Sequence, residues 1–536
     1  MVYDRSLVME TTTDSSIDLQ KLIQQLSEEN RIKNLEIEYL KEHIKLLAAQ
    51  LYRKKSEKFD YASFPGQLNF LEDLPEESVL EEPNKTIEVP AHTRKKSGRK
   101  PLPENLEREE VVHDIPEEDK ECACGTSMEV IGQEISEQLD YTPPELKVTR
   151  HIRPKYACKN CEGIETEGST IKIAPPPQQI IPKSIASAGL LAQIVTAKFV
   201  DSMPFYRQEK QFGRLGYEIS RTNMANWVIQ LGTILEKLLG LLKQELLSGP
   251  LINMDETTIQ VLKESGRDPT TKSYMWVMCG GAPDCPAVYF EYSPNRSARV
   301  AQKLLESYQG IVQTDGYAGY NFIEQDPQMK QAGCWAHARR KFVEVLKATG
   351  KYEKKKAKMG HATQAVDTIG KLYGIERYAE KMNLSDRQMV ELRQKESKPI
   401  LEDFHQWLKN LETKTPPKGL LGKAITYCLE RWKQLALYLD YGFATMDNNP
   451  AENAIRPFVV GRKNWLFCDS VAGAVASARL YSLVETAKAN KLNPHKYLKV
   501  LFEKLPCAET DQQLRDLLPQ HIKHTTPELT DKMREN

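Results

Sequence analysis

The chain has 536 residues, enough for several domains, and its 74 Lys and Arg are matched by 74 Asp and Glu. That neutrality excludes a simple basic DNA-coating protein, and no apolar run is long enough to cross a bilayer. With no basic-then-apolar leader a cytoplasmic protein is expected, and ten cysteines in so long a chain do not suggest a disulfide framework.

Between Leu19 and Leu51 a heptad register places Ile23, Asn30, Ile37, Ile44 and Leu51 at position a. Leu19, Leu26, Lys33, Leu40 and Leu47 then fall at d, so eight of the ten seam positions are apolar. Such a seam predicts a coiled coil, and Asn30 at an a position favours a parallel dimer by pairing with its twin. An amphipathic helix packed on its own domain is the alternative. Beyond LYRKKSEKF, residues 60–93 are rich in Pro, Glu and Ser and read as a linker. Arg94, Lys95, Lys96, Arg99 and Lys100 follow, five positive charges within seven residues. That stretch suits a DNA minor groove, or is a solvated linker between acidic flanks.

Cys122 and Cys124 form one close pair and Cys158 and Cys161 another, with a strand-like stretch, LKVTRHIRPKYAC, between them. Four thiolates in two pairs match a structural Zn2+ site, which lets a small β domain fold with little core. Redox pairs or chance clustering are the alternatives. Pro175–Pro177 mark a boundary, and from Ile185 to about Leu247 the pattern is helical, with breaks at Met203–Pro204 and Gly213–Gly216. Ser220 reads as an N-cap, so the next helix exposes Arg221, Thr222 and Asn223 as a recognition helix would, although many helical corners look alike.

After Pro250 the texture changes. LINMDETTIQVL alternates as a strand carrying Asp255, and SYMWVMCGG and AVYFEYSP continue it as a meander. The helical SARVAQKLLESY comes next, then GIVQTDGYAGY, a short apolar strand ending at Asp315. Three meandering strands, a crossover helix and a further strand are the plan of a ribonuclease-H-like α/β core. In it Asp255 and Asp315 would present neighbouring carboxylates. Two acids side by side need a cation, and hard oxygen donors suit Mg2+ or Mn2+. Two such ions about 4 Å apart serve phosphoryl transfer and call for a third acid. Glu452 in DNNPAENAIRPFVVGRKNWLF is the candidate, in the first turn of a helix with Asn449 as N-cap, Pro450 at the first position and Pro457 ending or kinking it. Arg456, one turn on, would touch phosphate or brace Glu452. Taken alone, Glu452 reads as a capping residue and Asp315 as a turn residue.

LYRKKSEKF, the CACG and CKNC pairs, MDET, TDGYAGY, GCWAHARRKF and the NNPAENAIRPFVVGRKNWLF block together resemble transposases of the insertion-sequence-66 type over nearly the whole chain. The resemblance implies a DDE-type nuclease and strand transferase, with Asp255, Asp315 and Glu452 as triad. It acts on double-stranded DNA at the element ends and target, associated with the nucleoid, as a homodimer or higher assembly with possible companion proteins. The tight first cysteine pair and the polar coiled-coil centre depart from the family pattern.

The expected plan is multidomain α+β: a coiled-coil helix over 1–59, a linker over 60–103 and a zinc-binding domain over 104–174. A helical DNA-binding domain follows over 175–249, then the core over 250–349 and 441–490, interrupted by a helical insertion over 350–440, and a helical tail over 491–536. The basic run from Lys354 would line DNA or a solvated face. His337 and Arg339 would reach the scissile phosphate, although a structural role for the histidine fits as well. Arg462, Lys463 and Trp465 would grip a DNA end, two as phosphate contacts and one by stacking, unless Trp465 is core. A plain nuclease or resolvase, and a DNA-binding regulator descended from a transposase, are the rival readings.

Overall fold

A computed structural model describes residues 146–157, 171–348 and 360–530, with helical positions between 26 and 44. The chain divides into two compact units, residues 68–151 and the remainder, and every element named below belongs to the second. The basic segment from Arg94 to Lys100, the four paired cysteines and the run from Lys354 lie outside the described residues. The helical positions between 26 and 44 form α1, on which Leu26, Ile37, Leu40 and Ile44 are exposed and Lys33 pairs with Glu29 at 2.9 Å. The other apolar seam positions lie outside the described residues.

The strand-like stretch before Cys158 is shorter than expected. Only β1 (Lys155–Ala157) forms there, antiparallel to β2 (Ile171–Ile173), with Lys155 opposite Ile173. Pro154 offers no N–H to a ladder, and residues 146–154 have no regular structure. Four helices follow: α2 (Ala188–Phe199), α3 (Phe205–Arg214), α4 (Arg221–Ile234) and α5 (Glu236–Leu247). Pro204 caps α3, and Ser220 caps α4 by accepting the Asn223 N–H at 3.2 Å.

The central sheet comprises β3 (Leu251–Lys263), β4 (Lys272–Ala282), β5 (Cys285–Ser293), β6 (Gly310–Gln313) and β7 (Met329–Ala332), in the order β5-β4-β3-β6-β7. β3, β4 and β5 form an antiparallel meander, whereas β6 and β7 run parallel to β3. The crossover helix α6 (Ala298–Leu304) links the two halves. After α7 (Trp335–Ala348) the described residues are helical through α8 (His361–Lys381), α9 (Asp386–Leu392), a π turn at Arg393–Ser397, α10 (Lys398–Glu412), α11 (Leu420–Glu430) and α12 (Trp432–Ala436). Trp335, Phe342, Phe404, Leu408 and Ile425 share their core.

α13 (Asn449–Trp465) corrects one expectation: its N-cap is Asn448, one residue earlier. Pro457 lies inside the helix and does not end it. A proline inside a helix costs about 3 kcal/mol, which burial of Ile455 and Phe458, at about 1.5–3 kcal/mol each, offsets. The chain then forms β8 (Cys468–Ser470), parallel to the far end of β3, and α14 (Val471–Ala489). α15 (Pro494–Lys504), α16 (Asp511–Asp516) and α17 (Pro519–Thr525) complete it. Among the described residues no helix is long and apolar enough to cross a membrane.

β5 is a sheet edge, and α14 covers it with hydroxyl and amide groups. Ser482 Oγ accepts the Phe290 N–H at 2.8 Å, Thr486 Oγ1 both accepts from and donates to Val288 at 3.0 Å, and Asn490 Nδ2 donates to Pro286 O at 2.8 Å. Four residues of helix rise about 6 Å and two of strand about 6.8 Å, so polar groups four apart meet alternate strand residues. The edge thereby loses its free donors. Thr486→Val keeps the shape but strands both Val288 groups, and should cost about 1–3 kcal/mol in denaturant unfolding.

Candidate active site

Leu251, Ile252 and Asn253 of β3 pair in parallel with Ile311, Val312 and Gln313 of β6. Asp255 and Asp315 each follow two residues after the last paired positions, Asn253 and Gln313, and the Asp315 carboxylate is close enough to raise the Asp255 carboxyl. β6 stops at Gln313, so Asp315 sits in the loop beyond the strand rather than at its last residue. Asp255 Oδ1 accepts the Glu256 N–H and Asp315 Oδ1 the Tyr317 N–H, both at 2.8 Å, which orients the carboxyls and leaves their other oxygens available. Gly316 has a φ of +90°, and a Cβ there would lie 2.8 Å from Arg431 Nε, so the turn after Asp315 requires glycine.

A buried amide relay brings the third acid to this strand pair. Asn253 Nδ2 donates to Gln313 Oε1 at 3.1 Å and to Asn448 Oδ1 at 3.2 Å, while Asn448 Nδ2 donates to Met254 O at 2.7 Å. Gln313 in turn holds Thr445 O and Gly333 O, at 2.8 and 3.1 Å. α13 starts immediately after Asn448, so Glu452 is carried in its first turn, 5 % exposed. Asp447 accepts the Ala336 N–H at 3.0 Å, placing an anion at the start of α7, and also bonds Tyr373 and Asn449. Asn449 thus braces Asp447 rather than capping α13.

Three groups that the sequence did not single out complete the surroundings. Glu256 points away from Asp255 and is fully engaged by the Arg296 guanidinium and the Tyr320 hydroxyl. Arg296 also lies 3.9 Å from Asp315 Oδ2 and stacks 3.8 Å over the Tyr317 ring. On α7, His337 Nδ1 and Arg340 Nη2 face Glu452 at 3.6 and 3.8 Å. Arg340 is three residues from His337 and shares its helix face. Arg339 is buried on the side of Asp447 and Tyr373.

The remaining candidates are placed as follows. Arg221 and Asn223 are exposed at the start of α4, although the Arg221 N–H is held by Glu209 at 2.9 Å. Arg456 is half-buried, with Nη2 buried and without a hydrogen-bond partner. Lys463 is exposed. Arg462 bonds Thr257 and Thr258 of β3, and Trp465 packs edge-on against Phe458 at 5.6 Å with Lys198 over its ring at 5.2 Å. Both therefore tie α13 to the body of the protein.

Burial, then the neighbouring Glu256, Asp315 and Glu452 carboxylates, holds the Asp255 carboxyl well above the usual range. Burial likewise raises Glu452, against the pull of Arg340 and Arg456. His337 is pulled down to about 4 by burial and by Arg340, so its ring is neutral at pH 7. Oxygen donors that resist losing their protons in one another's company fit a hard divalent ion, which would relieve the repulsion.

A raised carboxyl pKa favours the protonated fold, so its stabilisation is complete below the unfolded value, about 3.9, and is lost as pH rises through the folded value. Metal-free Asp255→Asn should therefore melt about 2 °C above the parent at neutral pH, a gap that closes on acidification in thermal scans with chelator. Asn448→Ala strands Asn253 and the Met254 carbonyl, and should lower the unfolding free energy by about 1–3 kcal/mol in urea titrations.

Comparison with known proteins matches residues 183–476, which span all three acids, to the model of the transposase IS66 family. Residues 119–162, with all four paired cysteines, match the zinc-finger binding domain of transposase IS66. Residues 482–520 match the IS66 C-terminal element, and 39–111 the model described as transposase C of IS166 homeodomain. The uncharacterized protein y4jD of Sinorhizobium fredii is 34% identical over 433 residues, covering 78% of this chain and 81% of the relative. The uncharacterized protein y4qI of the same organism is 30% identical over 496 residues, covering 90% and 88%. A zinc finger, helical segments and a mixed α/β core are thus combined in one chain with the sequence signature of a DNA-mobilising enzyme, and the protein belongs to the IS66 transposase family.

Proposed function

We propose that this transposase binds the terminal inverted repeats of its element, cleaves the ends and joins the freed 3′-hydroxyl to target DNA. Asp255, Asp315 and Glu452 are the catalytic carboxylates, on a ribonuclease-H-like core interrupted by the α8–α12 helices. The observation that carries this reading is that β3 and β6, paired in parallel up to Asn253 and Gln313, lead two residues later to Asp255 and Asp315, with the start of the Glu452 helix pinned to β3 by Asn448. The strand order β5-β4-β3-β6-β7, antiparallel on one side and parallel on the other, favours the same core.

Asp255 and Asp315 each keep one oriented carboxyl oxygen for a divalent ion, Mg2+ or Mn2+, and Glu452 supplies the third anchor for a pair of ions. When bound, such ions supply Lewis-acid stabilisation of the attacking and leaving oxygens of a phosphodiester. The chain's own groups do the rest. Arg456 offers a buried, unpartnered nitrogen beside Glu452, and exposed Lys463 offers charge for a phosphate. Arg221 and Asn223 at the start of α4, and the basic Arg94 to Lys100 segment, are the proposed contacts to the element end. Cys122, Cys124, Cys158 and Cys161 hold structural Zn2+, and the α1 seam pairs two copies of the chain through its exposed Leu26, Ile37, Leu40 and Ile44.

The test combines the protein, Mg2+, a labelled element end and a plasmid target. Joined products are expected; cutting without joining indicates a plain nuclease, and binding alone a DNA-binding regulator. Asp315→Ala should lose about 10³-fold or more in cleavage, about 4 kcal/mol of barrier, with end binding nearly intact. Strand transfer retained by that variant would overturn the assignment.

A further inference from the structure

Cys334, His337 and Glu452 each offer one ligand atom to the same small space, all within 4.8 Å of one another. Cys334 is the residue before α7, and its carbonyl accepts the Ala338 N–H at 3.3 Å. Its sulfur accepts the Asn448 N–H at 3.3 Å, while burial and the neighbouring Asp447 and Glu452 carboxylates push the thiol up, so a metal ion that displaces the proton on binding is what would make it a thiolate. His337 belongs to the first turn of α7 and Glu452 to the first turn of α13, so two rigid helix starts face each other.

His337 Nδ1 and Glu452 Oε1 are both buried without a hydrogen-bond partner, although they lie only 3.6 Å apart. Leaving two such atoms unpaired normally costs about 1–3 kcal/mol each. Their spacing is close to the edge of a tetrahedral zinc site, roughly 3.4 Å for bonds of about 2.1 Å. Arg340 flanks the pair from outside, 3.4 Å from His337 Nε2, a contact long enough to yield when the ring proton moves to that nitrogen.

We propose that Cys334, His337 and Glu452 form a binding site for a borderline transition ion of the zinc class, sharing Glu452 with the catalytic carboxylates. Thiolate, imidazole and a single carboxylate select such an ion over Mg2+, which takes oxygen ligands. An ion held there turns Glu452 toward α7 and away from Asp255 and Asp315. Zinc-class ions and Mg2+ thus compete for one side chain, which would make the centre sensitive to zinc. The competition rests on the catalytic reading given above; the site itself does not.

Co2+ serves as the probe, because thiolate ligation gives it a charge-transfer absorption that oxygen ligation does not. Full-length metal-free protein is titrated anaerobically with Co2+, in parallel with Cys334→Ser, His337→Gln and Asp255→Asn. The paired cysteines contribute equally to all four proteins, so differences isolate the new site. Cys334→Ser should lose part of the charge-transfer band, and His337→Gln should weaken that part about tenfold or more. Serine is a favourable N-cap, so α7 should keep its start, and circular dichroism checks that it does. Asp255→Asn should keep the full band, whether or not the carboxylates prove catalytic in the DNA assay. A band of equal intensity in the parent and Cys334→Ser would overturn the proposal.

Discussion

Everything at the candidate centre depends on the buried amide relay of Asn253, Gln313 and Asn448. Two strands and one helix must bring their ends together across sequence separations of 60 to 195 residues. A charged clamp would fail here, because any further carboxylate adds to a cluster already too acidic, and a cation would compete with the divalent ion for the same oxygens. Neutral amides avoid both problems. Each offers donors and acceptors at fixed angles, and Asn448 uses both ends, accepting from Asn253 and donating to Met254 O. Individually such bonds contribute about 0.5–1.5 kcal/mol net, so the relay adds only modestly to stability. What it provides is position, since the donor to Met254 O is held one residue from Asp255 and four from Glu452.

The acids held by this relay are destabilising by design. Burial and mutual repulsion raise Asp255 and Glu452, and the nearby cations stop short of neutralising them. Arg340 stays 3.8 Å from Glu452 and Arg296 3.9 Å from Asp315, whereas Arg296 engages Glu256 tightly. Adjacent residues on one strand therefore meet opposite fates: Glu256 is engaged by Arg296 and Tyr320, whereas Asp255 accepts the backbone N–H of Glu256. Strain kept at a site and offset by the surrounding body is what a stability–function trade-off predicts.

Much of the scaffold was legible because period and turn chemistry are local. Alternation in LINMDETTIQVL, the Ser220 cap and the break at Pro204 each depend on neighbours within a few residues. The nearness of Asp255 and Asp315 follows from the parallel pairing of β3 and β6, which ends two residues before each of them. Side-chain partners were less legible, because they depend on helix phase and on distant segments. That Arg340 meets Glu452 depends on helix phase around α7; its distance of three residues from His337 was the available signal. Nothing local announces that Arg462 is held by Thr257 and Thr258, that α13 survives Pro457, or that α14 pairs with the edge of β5. Asn448 lay inside a quoted motif, yet its neighbour Asn449 was the more conventional cap. The amide was needed for β3 instead.

The helices between α7 and α13 act on the site through a second buried clamp. Arg393, 1 % exposed in the π turn, donates to Tyr438 O at 2.8 Å, Tyr441 O at 2.7 Å and Ala444 O at 2.9 Å while pairing with Glu376. A guanidinium carries five donors in a fixed fork, and here they gather the carbonyls of one irregular segment. That segment leads directly into Thr445, which bonds Gln313, and then into Asp447 and Asn448. The path from Arg393 to Asn448 is therefore a series of hydrogen-bonded groups that fixes the irregular segment before α13. Removing the helices would release the segment that delivers Asn448, and with it the helix start that carries the third acid. The helical stretch is thus a structural arm of the centre.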